Sequence, residues 1–134
     1  MSWQYSFSRH LPPTDFVLES IDVFHEETVF TTQCGRKFKI YHEQDCCESV
    51  YMVDSLGNPK ELIGKTIREV QFGEPDDAFQ DAYLAEQCSY PPESYTFTEV
   101  RFVCDDMTYV ERWFGESNGC YSEEVDVSEW IANQ

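Results

Sequence analysis

The chain has 134 residues, 41% of them hydrophobic and 16% aromatic, and carries 9 basic against 26 acidic side chains for a formal net charge of −17. That length suits one domain with a real core, and the apolar and aromatic content excludes a disordered chain. The charge argues against bare nucleic acid as a partner, because the mean field repels phosphate; acidity is then either a solubility device or an imitation of a polyanion.

Trp3, Tyr5 and Phe7 alternate with polar residues, so residues 1–14 read as an N-terminal strand or docking arm that Pro12-Pro13 breaks. The same segment lacks the apolar run of a secretion signal. Cys34, Cys46, Cys47, Cys88, Cys104 and Cys120 are therefore expected to be reduced thiols of a cytoplasmic chain. No stretch approaches the ~20 apolar residues of a membrane span.

Residues 15–32 are rich in β-branched and aromatic side chains and divide near Glu26-Glu27 into two strands. His25, at that division, reads as a surface or packing residue. Gln33-Cys34-Gly35 is a turn, and residues 37–42 form a two-faced strand with Lys37 and Lys39 outward. Arg36, Lys37 and Lys39 form the one basic cluster, read first as ion-pair partners for neighbouring acids.

The run HEQDCCE (42–48) holds metal-ligating residue types, but adjacent Cys46 and Cys47 lack the C-x₂₋₄-C spacing that lets two thiolates converge on one ion. No metal or other cofactor is expected, and no nucleophile is identifiable beside a base. Residues 49–54 make a strand closed by a turn at Gly57-Asn58-Pro59, and residues 66–72 make another with Ile67 and Val70 in the core. Asp76 and Asp77 suit the N-terminus of a helix in which Ala78, Phe79, Ala82, Tyr83 and Ala85 form an apolar side. Residues 95–103 and 108–114 form a hairpin about Asp105-Asp106.

The densest stretch is RWFGESNGCYS (112–122). It reads as a strand ended by Gly115, a tight loop at Ser117-Asn118-Gly119, and a returning strand over residues 121–127; residues 128–131 read as the start of a short helix. Such a loop would bring Arg112, Glu116, Ser117 and Asn118 beside Trp113 and Tyr121. A guanidinium fork, an amide, a hydroxyl and ring faces are the groups a nucleotide-like ligand needs. An ordinary hairpin with Asn-Gly at its turn explains the same residues. The expected fold class is α+β: mostly antiparallel sheet built of hairpins, with one or two short helices, as a single domain over residues 1–134.

YHEQDCCESVYMVD (41–54), LIGKTI (62–67), ESYTFTEVRF (93–102) and RWFGESNGCYSEEV (112–125) together resemble a set of small β-rich proteins of bacteriophages and prophages, most known only as a domain of unknown function. The chain is also similar to the first Thoeris anti-defence family. Those oligomeric proteins hold cyclic ADP-ribose isomers or cyclic oligonucleotides and deny an immune effector its signal without cleaving it. That resemblance implies a homo-oligomer in the cytoplasm of an infected bacterium. Its pocket would be formed by Arg112, Asn118 and an aromatic such as Phe97 or Phe114, with Arg36 at a subunit boundary. Residues 74–92 stand as an insertion relative to the family, and Cys120 replaces an expected aromatic.

Two functions follow from these readings. One is a sponge that binds a cyclic nucleotide signal without turnover. The other is an acidic inhibitor whose carboxylates take the place of nucleic-acid phosphates in the basic groove of a host defence nuclease. An enzyme has no specific support, because any pairing can be drawn among 26 acids.

Overall fold

The computed structural model describes residues 13–88, 90 and 92–130. The expected N-terminal strand or arm lies outside them, apart from its last two residues. Among the described residues, nine strands form two antiparallel sheets. The five-stranded sheet runs β5-β1-β2-β3-β9 and the four-stranded sheet β4-β8-β7-β6. In chain order the strands are β1 (Phe16–Val23), β2 (Glu27–Thr32), β3 (Lys37–Tyr41), β4 (Ser49–Leu56), β5 (Thr66–Ile67), β6 (Glu69–Gly73), β7 (Ser94–Val103), β8 (Thr108–Ser117) and β9 (Asp126–Trp130). A 3₁₀ turn at Pro59–Leu62 and one helix, α1 (Asp77–Gln87), are the other elements among the described residues. The content is that of a β-rich protein with few helices.

Alternation builds the core. Leu18, Ile21, Phe30, Phe38 and Ile40 point from the first sheet into the space that Val70, Val100, Phe102, Tyr109 and Trp113 fill from the second. Phe30 meets Phe102 edge-on across the gap, ring centres 5.3 Å apart. One polar tie crosses it: Thr28 on β2 donates its hydroxyl to the buried Glu111 carboxylate on β8 at 2.7 Å.

Several expected elements differ. Residues 66–72 are two strands, because Ile67 pairs with Phe16 in one sheet while Glu69 pairs with Val103 in the other. Exposed Arg68 makes the crossing, its guanidinium on Asp105 and its N–H on the Val103 carbonyl. Gly115 does not end β8 but lies within it. A Cβ there would sit 2.8 Å from the Glu123 carbonyl oxygen, so the glycine answers a close approach and not a reversal. Residues 121–125 form no strand with β8. The chain crosses instead to β3, where Ile40 faces Val127. Residues 128–130 are strand and not helix, since Val127 and Ser128 are buried and paired in that sheet. Cys46 and Cys47 are disulfide-bonded, which corrects the expectation of six reduced thiols; Cys34, Cys88, Cys104 and Cys120 are free.

α1 begins where Asp76 Oδ1 accepts the Phe79 N–H at 2.8 Å, the expected N-cap. None of its residues is fully buried. It lies over the outer face of the four-stranded sheet through two rings: Tyr83 is 4.9 Å from Phe114 and 5.7 Å from Phe97, and Phe79 is 6.1 Å from Phe97. The alanines of its expected apolar side are exposed.

Candidate functional site

The outer face of the four-stranded sheet gathers the groups that carry recognition chemistry. In β7 the period of two puts Tyr95, Phe97, Glu99 and Arg101 on this face. In β8 it does the same for Arg112, Phe114 and Glu116, and the register sets Glu99 opposite Arg112 and Phe97 opposite Phe114. β4 adds Tyr51 opposite Phe114 and Asp54 opposite Arg112.

Arg112 is held from three sides. Its Nε donates to Glu99 at 3.0 Å and its Nη1 to Asp54 at 3.2 Å, while its guanidinium lies 4.6 Å from the centre of the Phe79 ring on α1. Glu99 is buried and takes a second guanidinium: Arg101 Nε donates to its other oxygen at 2.7 Å. Two arginines therefore share one buried carboxylate. Arg101 is half exposed and opens, with Glu69, Gln71, Phe72, Gly73 and Glu99, onto a cleft of about 610 Å³ along β6. That volume falls within the range of small-molecule sites. Beside the Phe114 ring, Tyr83 and Tyr51 bring their hydroxyls to 3.4 Å; burial first, and then this contact, raises the Tyr83 phenol above its ordinary value, so it stays neutral.

The expected site residues divide into three groups. Arg112, Phe97 and Phe114 do share this face. Glu116, at the end of that face, lines with Ser117, Asn118, Cys47, Ser49 and Pro92 a separate shallow cleft of about 250 Å³. There Ser117 donates to the Glu123 carboxylate at 2.6 Å, and Asn118 Oδ1 accepts the Cys120 N–H at 3.0 Å. Arg36 lies in the other sheet's hairpin, in a two-bond ion pair with Glu129. Trp113, expected as a stacking face, points into the core with no exposure. Among the described residues, no group of three or more His, Cys, Asp and Glu side chains is placed to hold a metal ion. No helix among them is long and apolar enough to cross a membrane.

Sequence reasoning missed Glu99, Arg101, Phe72 and Asp54. The alternation of Phe97, Glu99 and Arg101 was a signal for the first two, since it sets them on the face of a ring already singled out. Asp54 needed the register of β4, which a bulge between Met52 and Asp54 shifts.

One family matches this architecture, a domain of unknown function designated DUF7448, over residues 16–127. The chain belongs to this family. The matched span begins with β1 and ends inside β9, so the DUF7448 unit contains both arginines, their shared carboxylate and α1. No curated protein and no solved structure matches the chain.

Proposed function

We propose that this DUF7448 protein binds and sequesters a small anionic ligand of nucleotide type without cleaving it, at the β6 cleft and the aromatic face beside it. The observation that carries the reading is the sharing of buried Glu99 by Arg101 and Arg112. One guanidinium is presented to the cleft and the other is braced among rings. Phosphate would engage the exposed edge of Arg101 in the cleft. The resemblance to anti-defence sponges supports a cyclic ADP-ribose isomer or cyclic oligonucleotide as the ligand, held as an immune signal in an infected bacterium by a homo-oligomer.

The test is a native mass spectrum of the protein alone and mixed with cyclic ADP-ribose isomers and a panel of cyclic di- and trinucleotides. A mass gain of one compound, released unchanged on denaturation, is expected. Arg101→Ala, which leaves the aromatic packing untouched, should weaken capture at least about tenfold, the scale of one charge-assisted bond. A ligand-free spectrum throughout overturns the reading for those compounds.

A second reading is favoured by the ion pairs. Arg36, Lys39, Lys60, Lys65, Arg68, Arg101 and Arg112 each have a carboxylate partner within the chain, so the net charge of −17 is left to carboxylates. Glu74, Asp76, Asp77, Asp81 and Glu86 are exposed on and before α1. This supports an inhibitor that enters a basic groove of a defence nuclease. Such binding should fall steeply with salt and survive Arg101→Ala.

A further inference from the structure

Between β3 and β4 the chain passes from one sheet to the other through residues 42–48, and the bridged Cys46 and Cys47 lie within this turn. The two cysteines are adjacent and both exposed. A bridge that staples a fold joins distant segments, because the entropy it removes from the unfolded chain grows with the loop it closes. This one closes no loop beyond the bonded pair, so stapling does not account for it. Nor does general oxidation of the surface, since Cys34 and Cys120 are exposed too and remain free thiols.

The turn is wired to the interior through Glu48, which is buried. Glu48 Oε1 accepts the Cys46 N–H at 2.9 Å, the Asp45 N–H at 3.2 Å and the Gln44 side-chain amide at 2.8 Å. Gln44 also donates to the Cys46 and Glu48 carbonyls. Burial pushes the Glu48 carboxyl up, but backbone N–H donors led by Cys46 outweigh it and hold the group below the usual carboxylate range. The second oxygen, Oε2, lies 3.3 Å from His42 Nε2, and His42 Nδ1 lies 2.7 Å from the Glu124 carbonyl on the approach to β9. A protonated His42 ring donates to both. The cysteine turn thus supplies the donors of a buried carboxylate that joins the residue after β3, the start of β4 and the segment leading to β9.

We propose that the Cys46 and Cys47 pair is a reversible redox site, whose reduction by a dithiol frees the turn and withdraws the Cys46 and Asp45 N–H groups from Glu48. A thiolate of the reductant attacks one exposed sulfur. A mixed disulfide forms, the bond between Cys46 and Cys47 breaks, and the departing sulfur takes up a proton. The second thiol of the reductant then loses its proton and displaces the other cysteine sulfur, which is protonated in turn as the reductant closes its own disulfide. The pair gains two electrons and two protons, and the dithiol loses as many. The site shares no residue with the β6 cleft, so it stands whether or not a nucleotide binds there.

The experiment uses the full chain, purified without reductant, with dithiothreitol as the dithiol. Unfolding in guanidinium with iodoacetamide, followed by peptide mass spectrometry, should label Cys34 and Cys120 and leave Cys46 and Cys47 unlabelled. After treatment of the folded protein with dithiothreitol, Cys46 and Cys47 should both carry the label. Glutathione disulfide, added once the dithiol is removed, should restore the unlabelled bridge. Hydrogen exchange at the Asp45 and Cys46 amides should be at least about tenfold faster in the reduced protein, the scale of one hydrogen bond lost, with β7 and β8 unchanged. The double variant Cys46→Ser, Cys47→Ser should exchange at the fast rate with or without dithiothreitol. Label on both residues before reduction, no label after it, or equal exchange in the two states overturns the proposal.

Discussion

Replacing Glu111 by glutamine tests how the core tolerates a carboxyl buried between the two sheets. The side chain lies between the sheets with no exposure. Thr28 and Tyr109 hydroxyls donate to one oxygen at 2.7 and 2.9 Å, and Trp113 Nε1 to the other at 3.3 Å. All three partners are neutral. Burial pushes the carboxyl up and the three donors pull it back, with the net direction upward from the ordinary 4.5. The folded state therefore keeps this proton to a higher pH than the unfolded chain. Its contribution to stability is present in full below the unfolded value and is lost as pH rises through the raised folded one, at about 1.4 kcal/mol for each unit of elevation. Glutamine keeps the volume and carries no charge. Its oxygen accepts as before, and its amide can donate to the hydroxyl oxygen of Thr28 or Tyr109. Glu111→Gln should therefore gain stability relative to the parent as pH rises above the ordinary carboxyl range, by about 1.4 kcal/mol for each unit by which the folded value is raised. Urea unfolding at steps of pH, compared at equal m-value, measures this. A variant that loses ground as pH rises would refute the reasoning, because it would mean that the ionised carboxylate is the form the core prefers. Glu111→Ala should fail at every pH, since it orphans three buried donors at about 1–3 kcal/mol each.

Three further outcomes follow from the geometry. Gly115→Ala should cost about 1–3 kcal/mol, read as a lower unfolding midpoint, because its Cβ would lie 2.8 Å from the Glu123 carbonyl oxygen and 3.0 Å from Val50 Cγ2. Asp76→Ala should remove the N-cap of α1 at about 1 kcal/mol. With no fully buried residue in that helix, hydrogen exchange should quicken over residues 77–87 while the sheet amides hold. Tyr83→Ala should expose the rings of Phe97 and Phe114 that it covers, seen as new binding of a hydrophobic dye without loss of the sheet circular dichroism signal.

Most strands were legible because one face of each is buried and alternation records it. Phe38 and Ile40 against Lys37 and Lys39, and the hairpin about Asp105-Asp106, came directly from that period. What periodicity cannot show is which sheet a strand joins. Residues 66–72 alternate smoothly enough to read as one strand, yet the chain passes between sheets at Arg68, where an exposed arginine with two acidic partners leaves no hydrophobic trace. Residues 126–130 failed for the same reason. Their partner is β3, nearly ninety residues away in sequence, whereas short-range turn logic paired residues 121–127 with the nearest strand, β8, and read residues 128–131 as the start of a helix.

The candidate site shows how turn chemistry can be mistaken for recognition chemistry. Ser117, Asn118 and Gly119 drew attention because they are polar and close together, but each satisfies the backbone or a neighbour. Ser117 holds Glu123, Asn118 caps the Cys120 N–H, and Gly119 takes a positive φ of 91°. A loop that must reverse needs those residues whether or not anything binds. Arg101 carried only the weaker signal of alternation with Phe97 and Glu99, because an arginine in an exposed strand position is ordinary. Its significance comes from Glu99, a carboxylate that β7 would bury without a partner unless guanidiniums reached it. Arg112 arrives from β8 by cross-strand register, and Arg101 from two residues along β7. The residue that organises the face is therefore the acid, and in a chain with 26 acids composition alone could not single it out.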